Sequence, residues 1–298
     1  MKNVKYYLEY LATRFLYTLV RLLPLQIIRV FGHGLARLAF NVLKIRRRHM
    51  QENLKHAFPQ KSDSELERVA FHTYKNFLTS LLEYIYLTAP GKNRLEKLVQ
   101  VQNADLLDAT VKASGGVILL TAHFGGWETA GAWLSIKGYQ ITYMYRKPKN
   151  PYIAKLLLQT REASDMNMIE KGAGIRPFLQ ALQSDEPICL LADQDGGRKG
   201  IFVDFMGRPA STPVGPAVLA NKTGAPIIFF ILYRDSANAL HLNFEKIEYE
   251  IEGLEKEAAV RAIVIAYTRQ LEKWIYKYPD QWFWMHRRWM TKEKKSQK

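Results

Sequence analysis

The sequence predicts an α/β fold with a mixed sheet flanked by helices, and three observations predict it. Gly116–Trp133, reading GVILLTAHFGGWETAGAW, passes from an apolar run through a glycine turn into a helical pattern. Further short apolar segments, Tyr139–Tyr145, Pro187–Ala192 and Pro226–Tyr233, alternate with helical stretches, as strands do in a wound sheet. No repeat, low-complexity tract or composition shift marks an interdomain linker, and 298 residues suffice for one full core. The expected organisation is a helical attachment over 1–48 and one main domain over 49–298.

Residues 4–45 are helical in pattern and rich in Leu, Ile, Val, Phe and Tyr, with Pro24 a break or kink. Arginines at 14, 21, 29 and 37 interrupt them, and the longest uncharged runs are seven residues. A spanning helix needs roughly 20 apolar residues. Amphipathic helices lying in a headgroup layer, their arginines reaching lipid phosphates, fit better, and Arg46-Arg47-Arg48 adds to that reading. The plainer alternative is a helical pair packed on the domain with its arginines in water.

Residues 49–113 read as helical throughout, with Ser62-Asp63-Ser64-Glu65 a capping start and Ala89-Pro90-Gly91 a stop. The strand–turn–helix of Gly116–Trp133 follows, and then the strand Tyr139–Tyr145, which runs into the basic loop Arg146–Pro151. Tyr152–Ala163 and Ile175–Gln183 are predicted as helices, and Pro187–Ala192 as a strand ending in Asp193-Gln194-Asp195. Gly200–Pro213 reads as a loop. Beyond it the pattern predicts a helix over Val214–Lys222, a strand over Pro226–Tyr233 and an antiparallel neighbour over Leu240–Glu248. A long helix over Ala258–Tyr278 precedes the aromatic, basic segment Pro279–Met290.

The net charge of +15 is concentrated at the ends: residues 1–56 carry +9 and residues 286–298 carry +5, which leaves +1 for the middle. A nucleic-acid enzyme spreads basic charge along its central groove. Basic ends around a neutral middle suit an anionic surface, a membrane leaflet first of all. The rival is a non-catalytic RNA-binding protein in which Trp282, Trp284 and Trp289 stack bases beside Arg287 and Arg288. Those tryptophans equally suit a membrane-interface belt or core packing. Cys189 is the only cysteine, so no intrachain disulfide forms, and its apolar run reads as a buried structural thiol.

Two residues of the central stretch bear chemistry, His123 and Glu128, spaced H-x4-E. Five positions along a helix rotate about 140°, so the pair meets only with His123 in the turn and Glu128 in the first helical turn. Gly125-Gly126 allows so tight a turn, and amides of the new helix N-terminus would face the same space; amides near Gly125-Gly126, or Arg146, would stabilise an oxyanion there. The plainer alternative is a His that ends the strand and a Glu favoured by the helix dipole. Arg146 and Asp193 arrive at the same sheet edge by topology. If the strands before His123 and Asp193 are parallel neighbours, Asp193 rather than Glu128 would orient the imidazole. Equally, Arg146 reads as a solvated loop cation and Asp193 as a turn cap.

No G-x-S-x-G elbow is present, Asn221-Lys222-Thr223 lacks the glycines of a phosphate loop, and Gly172-Ala173-Gly174 lacks the third glycine of a dinucleotide fingerprint. Neither H-E-x-x-H nor paired Cys-x-x-Cys occurs, so no metal and no cofactor are expected. A histidine base near carboxylates, with no covalent nucleophile, suits direct transfer of an acyl group to a bound hydroxyl. A lipid esterase or thioesterase differs only in that water attacks.

His123-Phe-Gly-Gly-Trp-Glu128, Tyr145-Arg146, Asp193-Gln194-Asp195, Phe202–Pro213 and Gln281–Arg288 together resemble the bacterial lipid A late acyltransferases, the lauroyl and myristoyl transferases of the lysophospholipid acyltransferase-like superfamily. The resemblance runs over nearly the whole chain. It implies an acyltransferase-like catalytic domain over 49–298 that moves a fatty acyl chain from an acyl carrier protein thioester to a hydroxyl of a lipid A precursor. The expected place is the cytoplasmic face of the inner membrane. By the resemblance His123 is the base and Glu128 its partner, and substrate is bound by Arg146, Asp193, Gln194, Asp195 and Arg208. Family members commonly have a clearer N-terminal spanning helix than this chain. Related enzymes acylate other glycolipids, so the acceptor stays more open than the reaction.

Overall fold

The computed structural model describes residues 2–91, 93–114, 116–145, 148–155, 167–170, 172 and 174–293. Two helices, α1 (Lys2–Leu22) and α2 (Leu25–Arg37), are separated at Pro24, which has no N–H and pushes the residue before it away from helical geometry. A π-helical turn, Leu38–Val42, leads to α3 (Arg47–Ala57). The predicted capping box is present: Ser62 accepts from the Glu65 N–H, and Glu65 accepts from the Ser62 N–H, at the start of α4 (Asp63–Leu87). Helix α2 lies directly on α4, with no room at Gly32 for a Cβ, which would meet Thr79 Oγ1 at 2.8 Å.

After α4 come α5 (Arg94–Leu98), β1 (Val99–Gln102) and α6 (Ala104–Ser114), then β2 (Ile118–Thr121), α7 (Trp127–Ile136) and β3 (Thr142–Tyr145). Next are β4 (Asn167–Glu170), α8 (Arg176–Gln183), β5 (Ile188–Leu191), β6 (Ile201–Phe205) and β7 (Arg208–Thr212). The chain closes with α9 (Gly215–Thr223), β8 (Ile227–Arg234), β9 (Leu240–Lys246) and α10 (Lys256–Lys277). The main sheet has seven strands in the order β1-β9-β8-β2-β5-β3-β4. It is mixed as expected: β8 and β9 pair antiparallel and the other neighbours pair parallel.

The central strands are apolar on both faces because helices cover both. Ile118, Leu120, Phe229 and Ile231 pack with α8, α9 and α10, while Val117, Leu119, Phe230 and Leu232 pack with α6 and α7. Every residue of β8 is buried, in keeping with its continuous run IIFFILYR.

Three sequence expectations differ from the fold. The stretch 49–113 contains β1, a polar VQVQ strand whose alternation is half-buried at the sheet edge, where propensity is weak and pairing with β9 decides. Gly200–Pro213 is a two-stranded antiparallel hairpin, β6–β7, whose buried Val203, Phe205 and Ala210 alternate inward against α10. The strand β4 was not anticipated. Of the helix expected over Tyr152–Ala163, residues 151–155 are helical and the rest lie outside the described residues.

Candidate active site

β2 ends at Thr121 and delivers His123 to the carboxyl edge of the sheet, and the chain then turns through Gly125 and Gly126 into α7. Gly125 has φ +51°, and a Cβ there would stand 2.0 Å from the Leu232 carbonyl oxygen, so only glycine fits. The Gly125 N–H donates to the Gln281 carbonyl at 2.8 Å and the Gly126 N–H to the Leu232 carbonyl at 3.0 Å. These two amides are therefore committed to holding the turn. This corrects the expectation that they face the reacting centre. At the α7 N-terminus the amides of the first turn, Trp127 to Thr129, are the ones that no helical carbonyl serves.

β5 is the parallel neighbour of β2, pairing Ile118 with Ile188 through Thr121 with Leu191. Two residues beyond each strand's end stand His123 and Asp193, the juxtaposition that topology makes possible. His123 Nδ1 lies 2.8 Å from Asp193 Oδ1, and the His123 N–H donates to Asp193 Oδ2 at 3.0 Å. A carboxylate only accepts, so Nδ1 carries the proton and Nε2 is left as the basic nitrogen. Asp193 is 2 % exposed. Its Oδ2 also accepts from Trp282 Nε1 at 3.0 Å, and His286 Nε2 lies 3.3 Å from its carbonyl oxygen.

Burial works against the charge on both members, and their mutual attraction wins. For His123, burial is outweighed by the charge and hydrogen bond of Asp193, with the Glu128 charge adding, so its pKa is raised. For Asp193, burial is outweighed by His123, with His286 and Trp282 adding, so its carboxyl is held well below the usual range. Asp193, not Glu128, is thus the hydrogen-bonding orienter, and Glu128 in the first turn of α7 acts on His123 through its charge.

The other predicted positions are spread more widely. Gln194 Nε2 is 3.2 Å from His123 Nε2 and 3.4 Å from Nδ1, so this exposed carboxamide lies against the basic side of the ring. Asp195 accepts from the Gly197 N–H and from the Thr291 N–H and hydroxyl, which ties down the C-terminal segment. Arg208, exposed on β7, lies near His56 and adds to the burial that lowers that histidine's pKa. Arg146 lies outside the described residues. Among the described residues no group of His, Cys, Asp or Glu is placed to hold a metal ion. Burial, with the Glu128 charge adding, pushes the Cys189 thiol up to about 12, in keeping with a structural role.

Sequence reasoning missed the groups behind the pair. Trp282 and His286 touch Asp193, and Phe283 straps the turn by donating its N–H to the His123 carbonyl at 2.9 Å. Trp282 and Trp284 are fully buried and Trp289 is 9 % exposed, so they are core residues and present no face for bases or lipid. The base-stacking surface on which the RNA-binding alternative rested is absent. Arg288, counted among the basic charges of the C-terminal end, is buried as well. The only signal was the aromatic density of Pro279–Met290, which suits several surroundings.

The sequence model of the family described as "Bacterial lipid A biosynthesis acyltransferase" matches residues 1–291. The lipid A biosynthesis palmitoleoyltransferase of Escherichia coli K12 is 26 % identical over 290 residues, covering 97 % of this chain and 92 % of that protein. The lauroyltransferase of the same strain is 25 % identical over 293 residues, covering 97 % and 93 %. A phosphatidylinositol mannoside acyltransferase of Mycobacterium tuberculosis is 34 % identical over 128 residues, a match that spans 42 % of this chain and only 40 % of that protein.

Proposed function

The chain belongs to the bacterial lipid A biosynthesis acyltransferase family, and from that premise we propose that it transfers a fatty acyl chain from an acyl carrier protein thioester to a hydroxyl of a lipid A precursor. The observation that carries the chemistry is the His123–Asp193 pair at the carboxyl edge of two parallel strands. His123 Nε2 takes the hydroxyl proton as the oxygen attacks the thioester carbonyl. The tetrahedral oxyanion collapses with cleavage of the C–S bond, and the proton on Nε2 passes to the departing thiolate. Asp193 stabilises the imidazolium between those two transfers, with Glu128 adding charge. General-base help of this kind is worth about 10²–10⁴-fold.

Substrate binding falls to Arg146, Gln194 and Arg208 in this reading, together with the Asp193 edge, while Asp195, its oxygens taken by Gly197 and Thr291, supports that edge from behind. Gln194 is exposed and rests where the acceptor hydroxyl must approach Nε2, so it yields to that group and its N–H stays close to the reacting centre.

The protein works at the cytoplasmic face of the inner membrane, seated on an anionic leaflet. Val4, Leu8, Leu11, Phe15, Leu19 and Leu22 fall at intervals of three and four on α1 and are exposed, and Ile27, Val30 and Phe31 of α2 are exposed as well. Scattered exposed apolar residues are ordinary, but a row along one helix marks an interaction surface. Among the described residues no helix is long and apolar enough to cross a membrane. An interfacial seat is consistent with that. Contrary to the sequence expectation, the arginines do not all reach for lipid phosphates: Arg29 is held by Glu83, and the Arg21 guanidinium lies over the Tyr17 ring with its Nε buried.

The match to a phosphatidylinositol mannoside acyltransferase favours a second reading of the acceptor, a different glycolipid with the same transfer chemistry. The test is an assay of the purified chain with acyl carrier protein thioester and candidate acceptors, following free thiol and acylated lipid together. Thiol release that requires a lipid A precursor supports the proposal. Release without acceptor supports the thioesterase reading, and release only with another glycolipid supports the second.

A further inference from the structure

Arg288 is 1 % exposed, so its guanidinium is removed from water. A buried cation ordinarily meets a carboxylate directly. Arg288 does not: its terminal nitrogens donate to the Ser211 carbonyl and the Thr212 hydroxyl, its plane lies over the Phe205 ring, and among the described residues no carboxylate forms an ion pair with it. Its Nε–H is buried and has no hydrogen-bond partner.

A small cavity of about 10 Å³, room for the centre of one water, is lined by Arg288 and Asp193 together with Thr121, Phe205, Tyr267 and Thr268. Polar groups too far apart for a direct bond commonly share such a water. The lining offers an unsatisfied donor in Arg288, a carboxylate residue, and three hydroxyls able to accept, of which Thr121 Oγ1 is itself buried without a partner. All three features lie directly behind the His123–Asp193 pair.

We infer that Arg288 is a positioning residue, the buried counter-charge of Asp193, acting across one water held in this cavity. Its role is to temper the pull of Asp193 on the His123 proton, so that Nε2 remains a usable base near neutral pH. The inference rests on the reading of His123 as the base.

The charged and titratable surroundings leave this task to Arg288. Around His123 stand Asp193 from the end of β5, Glu128 from α7 and His286 from the C-terminal segment. The first two favour the protonated ring. His286 has its own pKa lowered, chiefly by burial, so it is neutral near pH 7 and does not supply a standing positive charge. Around Arg288 stand Asp193, Asp195, and Tyr267 and Glu272 of α10. Asp195 is engaged by Gly197 and Thr291, and Glu272 by the Met206 N–H. Burial lowers the Arg288 pKa to about 10, which leaves it charged at neutral pH.

The test reads His123 itself, so that it does not depend on turnover. The full chain is labelled at the histidine rings, solubilised in detergent, and titrated by NMR, with His123→Ala identifying the resonance. Arg288→Met and Arg288→Gln are expected to raise the His123 pKa by about half a unit, a roughly threefold gain in proton affinity, and Arg288→Lys to leave it near the wild-type value. A folded Arg288→Met or Arg288→Gln in which His123 titrates as in wild type, or lower, overturns the inference. A high-resolution crystal structure of the wild-type protein supplies a second measurement that survives even if neither variant folds. One water within hydrogen-bond distance of Arg288 Nε is expected, and a dry cavity overturns the inference. Should His123→Ala keep full acyl transfer, the function proposed above fails, while the titration still decides the role of Arg288.

Discussion

Asp193 holds His123 at two points: Oδ1 meets the ring at Nδ1, 2.8 Å away, and Oδ2 accepts the His123 backbone N–H at 3.0 Å. One buried carboxylate thereby fixes both the tautomer of the imidazole and the place of its backbone, and Trp282 Nε1 fixes the carboxylate in turn. The relationship depends on β2 and β5 being parallel neighbours, because residues two beyond each strand's end then fall side by side.

His123→Ala is expected to lower acyl transfer by about 10²–10⁴-fold and to lower the melting temperature without unfolding the protein, because the buried Asp193 carboxylate loses its chief counter-charge. The His123 side chain is only partly buried and its ring contacts are few, so little packing is lost. Acyl-transfer assays and melting curves of one preparation check both parts. Wild-type turnover in the variant rejects His123 as the base.

The pH dependence follows from the signs of the two shifts. His123 is raised above its ordinary value, so the base is lost as pH falls through that raised value and the acid limb of kcat/KM lies above about 6.5. Asp193→Asn removes the attraction and leaves burial dominant, so the limb moves below that value as kcat falls. The pair's stabilisation is lost as pH rises through the folded His123 pKa, and as pH falls through the folded Asp193 pKa. The difference in melting temperature between wild type and Asp193→Asn is therefore greatest between about pH 4 and 6.5.

Gly125→Ala is expected to destabilise the protein by more than about 2 kcal/mol and to abolish activity, since the new Cβ would stand 2.0 Å from the Leu232 carbonyl oxygen in a left-handed backbone. Denaturant unfolding measures it. A fully stable, active Gly125→Ala would show that the turn can rearrange.

Glu83 joins α4 to two arginines, Arg29 of α2 at 2.7 Å and the buried Arg234 at the end of β8. Glu83→Gln leaves that cationic pair without its counter-charge, at a cost of about 3–5 kcal/mol. Because Arg234 is also bonded through its backbone to Gln281, whose carbonyl holds Gly125, activity should fall along with stability. Chemical unfolding and transfer assays read the two effects.

Much of the fold was legible because pattern and packing agree: the IIFFILYR strand, the Ser62–Glu65 cap and the break at Pro24 all appear in the structure. The β6–β7 hairpin was illegible because Phe202–Pro213 alternates around Gly207 and Pro209, residues that locally signal a loop, and only packing on α10 orders it. At the site, the H-x4-E spacing requires His123 in the turn and Glu128 in the first helical turn, which is where the structure places them. The choice between Glu128 and Asp193 waited on strand order, which no local signal encodes. The Gly125 and Gly126 amides looked available for an oxyanion because the sequence does not disclose that Gln281 and Leu232 take them. Trp282, His286 and Arg288 sit about ninety residues from Asp193, and nothing local in their aromatic, basic segment distinguishes a core wall from an exposed surface.

Secondary acylation of lipid A by a His123-dependent transfer is best tested by mass spectrometry of lipid A from cells lacking this protein. Loss of one acyl chain is expected, restored by the wild-type gene and not by His123→Ala, with the mass difference naming the chain. Lipid A of unchanged mass in the deletion strain would contradict it.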